Sequence, residues 1–137
     1  MEIRLKGRAA VCGVAEGEAL VCHEPVTFWS VDQTTGLFCQ PGHELCGKSI
    51  KDKVLVYPCG CGAVGYFLWL LKSAGTGPRA LITMKPYSQE AIDAIFAGIP
   101  LVYGFDQNVM DLVQDGDYVF VNQPMNGAIT INKTDRP

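Results

Sequence analysis

The chain opens on alternation. In "IRLKGRAAV", residues 3–11, apolar and polar positions trade places with the period of a strand that buries one face. "GEALVC", residues 17–22, follows Gly17 as a second strand. The pattern then lapses: "HEPVTFWSVDQTTG", residues 23–36, reads as a loop. A short segment around Leu37–Cys39 comes next, with a short strand or turn in "ELCGKSI", residues 44–50. "KVLVY", residues 53–57, breaks the rhythm, because its consecutive apolar residues predict a strand buried on both faces. After it the period lengthens. "GAVGYFLWLLKSAG", residues 62–75, has the length of a helix and ends at Gly75, with Gly77 and Pro78 beyond as stop signals. "RALIT", residues 79–83, is a strand. "YSQEAIDAIFAG", residues 87–98, predicts an amphipathic helix with Ser88 as its N-cap, Ile92 and Ile95 on one face, and Gly98 at its end. "IPLVYG" is a further strand, "DQNVMDLV" a short helix, and "GDYVFVN" and "GAITIN" are closing strands.

Strand, helix, strand, helix, strand in the second half implies right-handed parallel crossovers, and the first half adds an antiparallel β portion. The expectation is an α/β fold with β, β and α layers in a single domain spanning 1–137. Ligands on such sheets sit at the carboxyl ends of the strands, where the loop from Pro58 to Val64 falls.

Composition narrows the function classes. A hydrophobic fraction of 48% with 18% charged residues describes a globular chain. The net charge is −3 and no cluster of five or more basic residues occurs, so nucleic acid is not an expected partner. The apolar run Ala63–Leu71 is far short of the roughly 20 residues a membrane helix needs. "MEIRLKGRAA" lacks the apolar core of a signal peptide, so a cytoplasmic protein with no membrane partner is expected. In that compartment the six cysteines should be thiols.

The chemistry concentrates in "PCGCGAVG". A Gly-rich loop between a buried strand and a helix turns backbone N–H groups toward an anion, and Gly60, Gly62 and Gly65 let the backbone approach closely. The alternative is a tight strand-to-helix turn with no ligand. It is neither a Walker A sequence nor G-x-G-x-x-G. Cys59 and Cys61, with Cys39, His43 and Cys46, offer soft ligands for zinc or an iron–sulfur cluster, although C-x-C is not the usual spacing. Cys61 is alternatively a reactive thiol at a helix N-terminus. Phe28 and Trp29, side by side in a polar loop, either anchor the loop or face a partner. Asp32 shapes a turn with Thr34 and Thr35 nearby; His43 is placed in "QPGHEL", and His23 has no stronger claim. No Ser–His–Asp set, H-E-x-x-H or paired-carboxylate motif is visible, so the chain does not read as a self-sufficient enzyme.

Three motifs in order, "TFWSVDQTTG", "HELCGKS" and "KVLVYPCGCGAVG", resemble the small subunit of aconitase-X-type hydro-lyases. The family shows Ser-Phe-Trp-Gly-Gly-Val-Asp-x-x-Thr-Gly, then His-Pro-Leu-x-Gly-x-Ser, then Val-Leu-x-x-Pro-Ser-Gly-Arg-Gly-Ser-Ser. "GPRALIT" and "DGDYVFVN…GAITI" extend the likeness over nearly the whole chain. The resemblance implies the swivelling β/β/α domain of the aconitase superfamily, with a β-rich N-terminal half and parallel strands with crossover helices. It implies a large catalytic aconitase-X-like subunit as partner, carrying the iron–sulfur cluster or metal ion, with no cofactor in this chain. It implies closure over a small anionic substrate, a hydroxy acid or hydroxy amino acid; known family activities dehydrate 5-phosphomevalonate and cis-3-hydroxy-L-proline. The loop would bind substrate through Cys59, Gly60, Gly62 and Val64, and Phe28, Trp29, Asp32 and His43 would face the partner. The family's catalytic serine falls on Ala63, its neighbouring serine on Val64 and its arginine on Cys61. Ala63 cannot take a proton, so the base is either relocated to Cys61 or Cys59, or lost. The alternative function is a catalytically inactive stand-alone binding or regulatory module.

Overall fold

The computed structural model describes residues 2–60, 67–86 and 88–134. Its strands are β1 (Glu2–Lys6), β2 (Arg8–Val11), β3 (Ala15–Val21), β4 (Val54–Tyr57), β5 (Ala80–Thr83), β6 (Leu101–Tyr103), β7 (Tyr118–Val121) and β8 (Ala128–Asn132). The helices are α1 (Phe67–Ala74), α2 (Ser88–Ala97) and α3 (Val109–Leu112), with a 3-10 turn at Phe28–Ser30. The strands line up in the order β1-β8-β7-β3-β4-β5-β6-β2. Strands β3 to β6 are parallel; β7, β8 and β1 continue antiparallel on one side, and β2 closes the other.

Alternation along the central strands divides the core into two layers. Leu55 and Tyr57 of β4 face α1, α2 and the loop residues Val26, Phe28, Phe38, Leu45 and Ile50. Val54 and Val56 face the other way, onto Leu5, Val119, Val121, Ile129 and Ile131 of the antiparallel strands. Both faces of β4 are thus covered, as its continuous apolar run requires. The outcome is the expected β/β/α layering.

Three expectations are corrected. The first alternating run is two strands, not one: the chain breaks at Gly7, and β1 and β2 join opposite edges of the sheet. A Cβ at Gly7 would stand 2.8 Å from the Phe105 ring and closer still to the Tyr103 carbonyl, so only glycine passes there. The antiparallel portion is built from both ends of the chain, with β1 lying beside β8, rather than from the first half alone. In α2, Ser88 is itself the first helical residue, and the face carrying Ile92 and Ile95 is the outer one. The helix ends do follow the glycines: Gly75 and Gly98 both take positive φ, and Thr76 and Ile99 donate back to Leu71 and Ala94.

Candidate functional site

The parallel strands deliver their carboxyl ends to one edge. There β4 runs into Pro58, Cys59 and Gly60, and neighbours on both sides fix that exit. Cys22 N–H donates to Val56 O at 2.8 Å, and Val26 N–H donates to Cys59 O at 3.0 Å, extending the β3 side as far as a bridge between Val26 and Gly60. From the β5 side, Lys85 N–H and the Thr83 hydroxyl both donate to Pro58 O, at 3.2 and 3.1 Å. The backbone entering the Gly-rich loop is therefore held like a strand.

Beneath it lie two carboxylates that the sequence reading missed. Glu90 and Asp93 stand one turn apart on α2 and are 6% exposed each. The Tyr57 hydroxyl, wholly buried at the end of β4, donates to Glu90 Oε2 at 2.5 Å. Burial first, then the Glu90 charge, hold the Tyr57 phenol well above its usual range, so it remains the donor. The Glu90 carboxylate fills the space that a side chain at Gly60 would need; a Cβ there would come 2.9 Å from the Glu90 carboxyl carbon. Asp93 Oδ2 accepts the Leu68 N–H at 3.2 Å, and its carboxylate also takes the Trp69 N–H. Its Oδ1 is buried and, among the described residues, has no partner. Burial pushes the Asp93 carboxyl above the ordinary range despite those two amides.

The residues named from sequence divide clearly. Cys61, Gly62, Ala63 and Val64 lie outside the described residues. Cys59 and Gly60 stand at the carboxyl edge, half-buried. Phe28 turns inward, edge-on to Tyr57 at 6.2 Å between ring centroids, whereas Trp29 beside it is 55% exposed. Asp32 is a turn residue: its Oδ1 accepts the Thr34 N–H and its carbonyl accepts the Gly36 N–H. The His43 side chain is internal rather than presented to a partner. Its ring lies against Phe38, Nδ1 accepts the Leu45 N–H at 3.1 Å, and Nε2 donates to Pro25 O at 2.8 Å. A backbone N–H can only donate and a carbonyl only accept, which fixes that tautomer and makes His43 a strut between two loops. Cys22 is buried, its thiol donates to the Glu24 carbonyl at 3.3 Å, and burial, partly offset by a backbone hydrogen bond at Glu24, pushes its thiol up to about 11. Among the described residues no three His, Cys, Asp or Glu gather as a metal-ligand set.

A cavity of about 480 Å³ lies at the opposite, amino edge, lined by Glu16, Asp52, Lys72 and Arg79. Its cations are already engaged, Lys72 with Gly98 O and Arg79 with Glu16 O and Asp52. The carboxyl edge is the stronger site, because the buried acids and the Gly-rich loop converge there. The outer surface of the helical layer is apolar: Trp69 on α1 and Ile92, Ile95 and Phe96 on α2 are between 48% and 75% exposed. Among the described residues, no helix is long and apolar enough to cross a membrane.

Comparison with known proteins adds identity to this geometry. The family model for the aconitase X swivel domain matches residues 4–131. The phosphomevalonate dehydratase small subunit of Methanosarcina acetivorans is 42% identical over 123 residues, covering 88% of this chain and 85% of that protein. That of Pyrococcus furiosus is 42% identical over 107 residues, covering 76% and 80%. The crystal structure of Thermococcus kodakaraensis aconitase X in its holo-form superposes with a TM-score of 0.87 at 34% identity, covering 96% of this chain and 99% of that chain. The solution structure of a UPF0107 protein gives 0.86 at 35% identity, covering 96% and 100%.

Proposed function

Because this chain belongs to the aconitase X swivel-domain family, we propose that it is the small subunit of a hydro-lyase and closes over the active site of a large catalytic subunit. The observation that carries the proposal is the likeness to phosphomevalonate dehydratase small subunits along most of both chains. The substrate in this reading is a small anionic hydroxy acid, with 5-phosphomevalonate the first to test. The carboxyl-edge loop meets it through Cys59, Gly60 and the segment that follows. The Leu68 and Trp69 amides are already committed to Asp93, so they are not the donors for an anion. Lys85, exposed and tied by its backbone to Pro58, adds positive charge at the edge where the family's loop arginine is replaced by Cys61.

The partner reading accounts for Trp29 and for the apolar outer face of α1 and α2, since such a surface is costly in water unless something covers it. In this reading the large subunit would hold the metal ion or iron–sulfur cluster of the enzyme, which would supply Lewis acidity for loss of the substrate hydroxyl. The complex works in the cytoplasm, where the thiols stay reduced. A second reading, a binding module without chemistry, draws on Ala63 standing where the family has its serine.

The test is co-expression with the large aconitase-X-like subunit of the same genome, pull-down, and a dehydration assay on 5-phosphomevalonate and cis-3-hydroxy-L-proline. A stable complex that dehydrates one of them is the expected result. A stable complex without turnover favours the binding module, and no complex overturns the subunit reading.

A further inference from the structure

The cations of this chain differ between the two ends of the parallel sheet. At the amino edge they are engaged: Lys53 pairs with Glu18, Arg79 with Asp52, and Lys72 donates to Gly98 O. At the carboxyl edge of β5 and β6, two are not. Strand β6 ends at Tyr103, and β2 runs antiparallel to it with Arg8 opposite Tyr103, so the first residue of β2 stands where its neighbours end. Arg8 is exposed, and its Cγ and Cδ lie 3.8 and 3.9 Å from the Cβ position of Gly104, so its stem leans along the turn that leaves β6. Lys85, just beyond the end of β5, is exposed at the same edge, where its N–H donates to Pro58 O at 3.2 Å. Among the described residues, neither side chain has an ion-pair or hydrogen-bond partner. The other charges at this corner are Lys6, Asp106 and the buried Glu90, which takes the Tyr57 hydroxyl. The acids beyond β3 are occupied, Glu44 by His23 and Glu24 by the Glu44 amide. The corner is therefore net positive in a chain whose net charge is −3.

We infer that Arg8, assisted by Lys85, binds the phosphoryl group of the substrate and so selects a phosphorylated hydroxy acid over an unphosphorylated one. This inference rests on the hydro-lyase reading above. Strand β2 lies two strand spacings from β5, about 10 Å, so the two long side chains approach one group from either side of the end of β6. A guanidinium presents paired N–H donors that match two phosphoryl oxygens, and an ammonium adds a point charge. No ion pair has to be broken for either to bind, whereas an anion at the amino edge would have to compete with Asp52 for Arg79. The placement also orders the ligand. With the phosphoryl group over the end of β6, the hydroxy-acid end of an extended substrate points toward the exit of β4 at Pro58 and Cys59. Neither cation moves a proton; both act on substrate choice. The sequence hides the pair because residues 8 and 85 meet only through the sheet order, and no basic cluster marks either one.

The experiment measures kcat/KM for 5-phosphomevalonate in the two-subunit complex carrying Arg8→Ala, Arg8→Lys, Lys85→Ala or Lys51→Ala. The companion readout is inhibition by the same acid without its phosphoryl group. Arg8→Ala is expected to lower kcat/KM by about 10- to 100-fold and Lys85→Ala by about 5- to 10-fold, with the inhibition constant within about twofold of native. Arg8→Lys recovers part of the loss, because the charge returns without the fork. Lys51, an exposed cation before β4 at the amino edge, is the control, and Lys51→Ala leaves both readouts unchanged. The proposal is overturned if Arg8→Ala stays within about twofold of native, if the inhibition constant moves along with kcat/KM, or if Lys51→Ala loses as much. An Arg8→Ala chain that no longer captures the large subunit also overturns it, by making Arg8 an interface residue. A native complex that dehydrates only cis-3-hydroxy-L-proline upholds the hydro-lyase reading and overturns this one. If the native complex dehydrates neither substrate, the hydro-lyase reading falls, and phosphoryl recognition is judged on the isolated chain. There, inorganic phosphate is titrated against chloride at equal ionic strength. Phosphate-specific NMR shifts at the Gly104 and Lys85 amides that Arg8→Ala removes sustain it; their absence overturns it.

Discussion

Gly60 offers a sharp test of the geometry under the loop. Its backbone does not lie in the left-handed region, so alanine meets no conformational objection there. The nearest obstacle is Glu90: an added Cβ would stand 2.9 Å from the carboxyl carbon and 3.4 Å from Oε1, and closer to Oε2. Comfortable carbon contacts begin near about 3.5 Å, so the carboxylate must withdraw by about 1 Å. In doing so it abandons the 2.5 Å bond from Tyr57 and leaves a phenol wholly buried without an acceptor. A hydrogen bond to a charged group is worth about 1.5–3 kcal/mol, so Gly60→Ala should cost about 2–3 kcal/mol. With Glu90→Ala the obstacle is gone, and the same substitution should be neutral, or stabilise by about 0.5 kcal/mol through the unfolded state. Urea denaturation of the four proteins of this cycle measures the coupling directly. Equal costs of Gly60→Ala in both backgrounds would refute the proposed contact.

Three further outcomes follow from the same structure. Asp117 is fully buried, and burial acting to raise its pKa is outweighed by Lys133 at 2.5 Å and by the Thr134 and Gln114 amides, so its carboxyl is held below the usual range. Its contribution is present above the unfolded pKa, about 3.9, and is lost as pH falls through the lower folded value; Asp117→Ala should cost about 3–5 kcal/mol at pH 7, with a flatter acid limb in a pH series of melts. Asp93 has the opposite sign, because its folded pKa is raised: native stability falls as pH climbs from the ordinary carboxylate range through the folded value. Asp93→Asn should escape that fall, so its stability relative to the native chain should rise with pH and the difference should close in acid; a pH-independent difference in Tm would contradict it. Phe28→Ala should cost about 3–5 kcal/mol in denaturation, whereas Trp29→Ala should change stability by less than about 0.5 kcal/mol and weaken capture of the large subunit instead.

What the sequence disclosed, and what it hid, divides along the range of the interactions. The four apolar residues of β4 announced a strand covered on both faces, and Gly75 and Gly98 announced the helix ends, because those signals are local. The motif "PCGCG" marked the carboxyl end of β4 for the same reason. The inward face of α2 was not legible. Ile92 and Ile95 repeat at i, i+3, but so do Glu90 and Asp93, and the choice between the two stripes is made by Tyr57 and by the amides of α1, more than twenty residues away in the chain. His43 similarly looked available until Pro25 and Leu45 claimed both of its nitrogens. The alternating start looked like one strand because Gly7 obeys the period while its surroundings, Tyr103 and Phe105, forbid any side chain and divide the run.

The replaced loop raises a question of chemistry that pH can answer. A serine hydroxyl does not ionise in the working range of an enzyme, whereas a thiol titrates near about 8.5, so a base relocated to a cysteine carries its own signature. If Cys61 abstracts the proton that the family assigns to the serine at position 63, kcat/KM of the complex rises with pH into the thiol range. Iodoacetamide then abolishes turnover unless substrate protects it, and Cys61→Ala is inactive while Cys59→Ala survives. Cys59 is the weaker candidate on geometry, because its carbonyl is held by Val26 within the strand-like exit of β4, which leaves it at the base of the loop rather than along it. If instead turnover survives both substitutions and shows no thiol limb, this chain supplies no base. The proton is then taken by the large subunit.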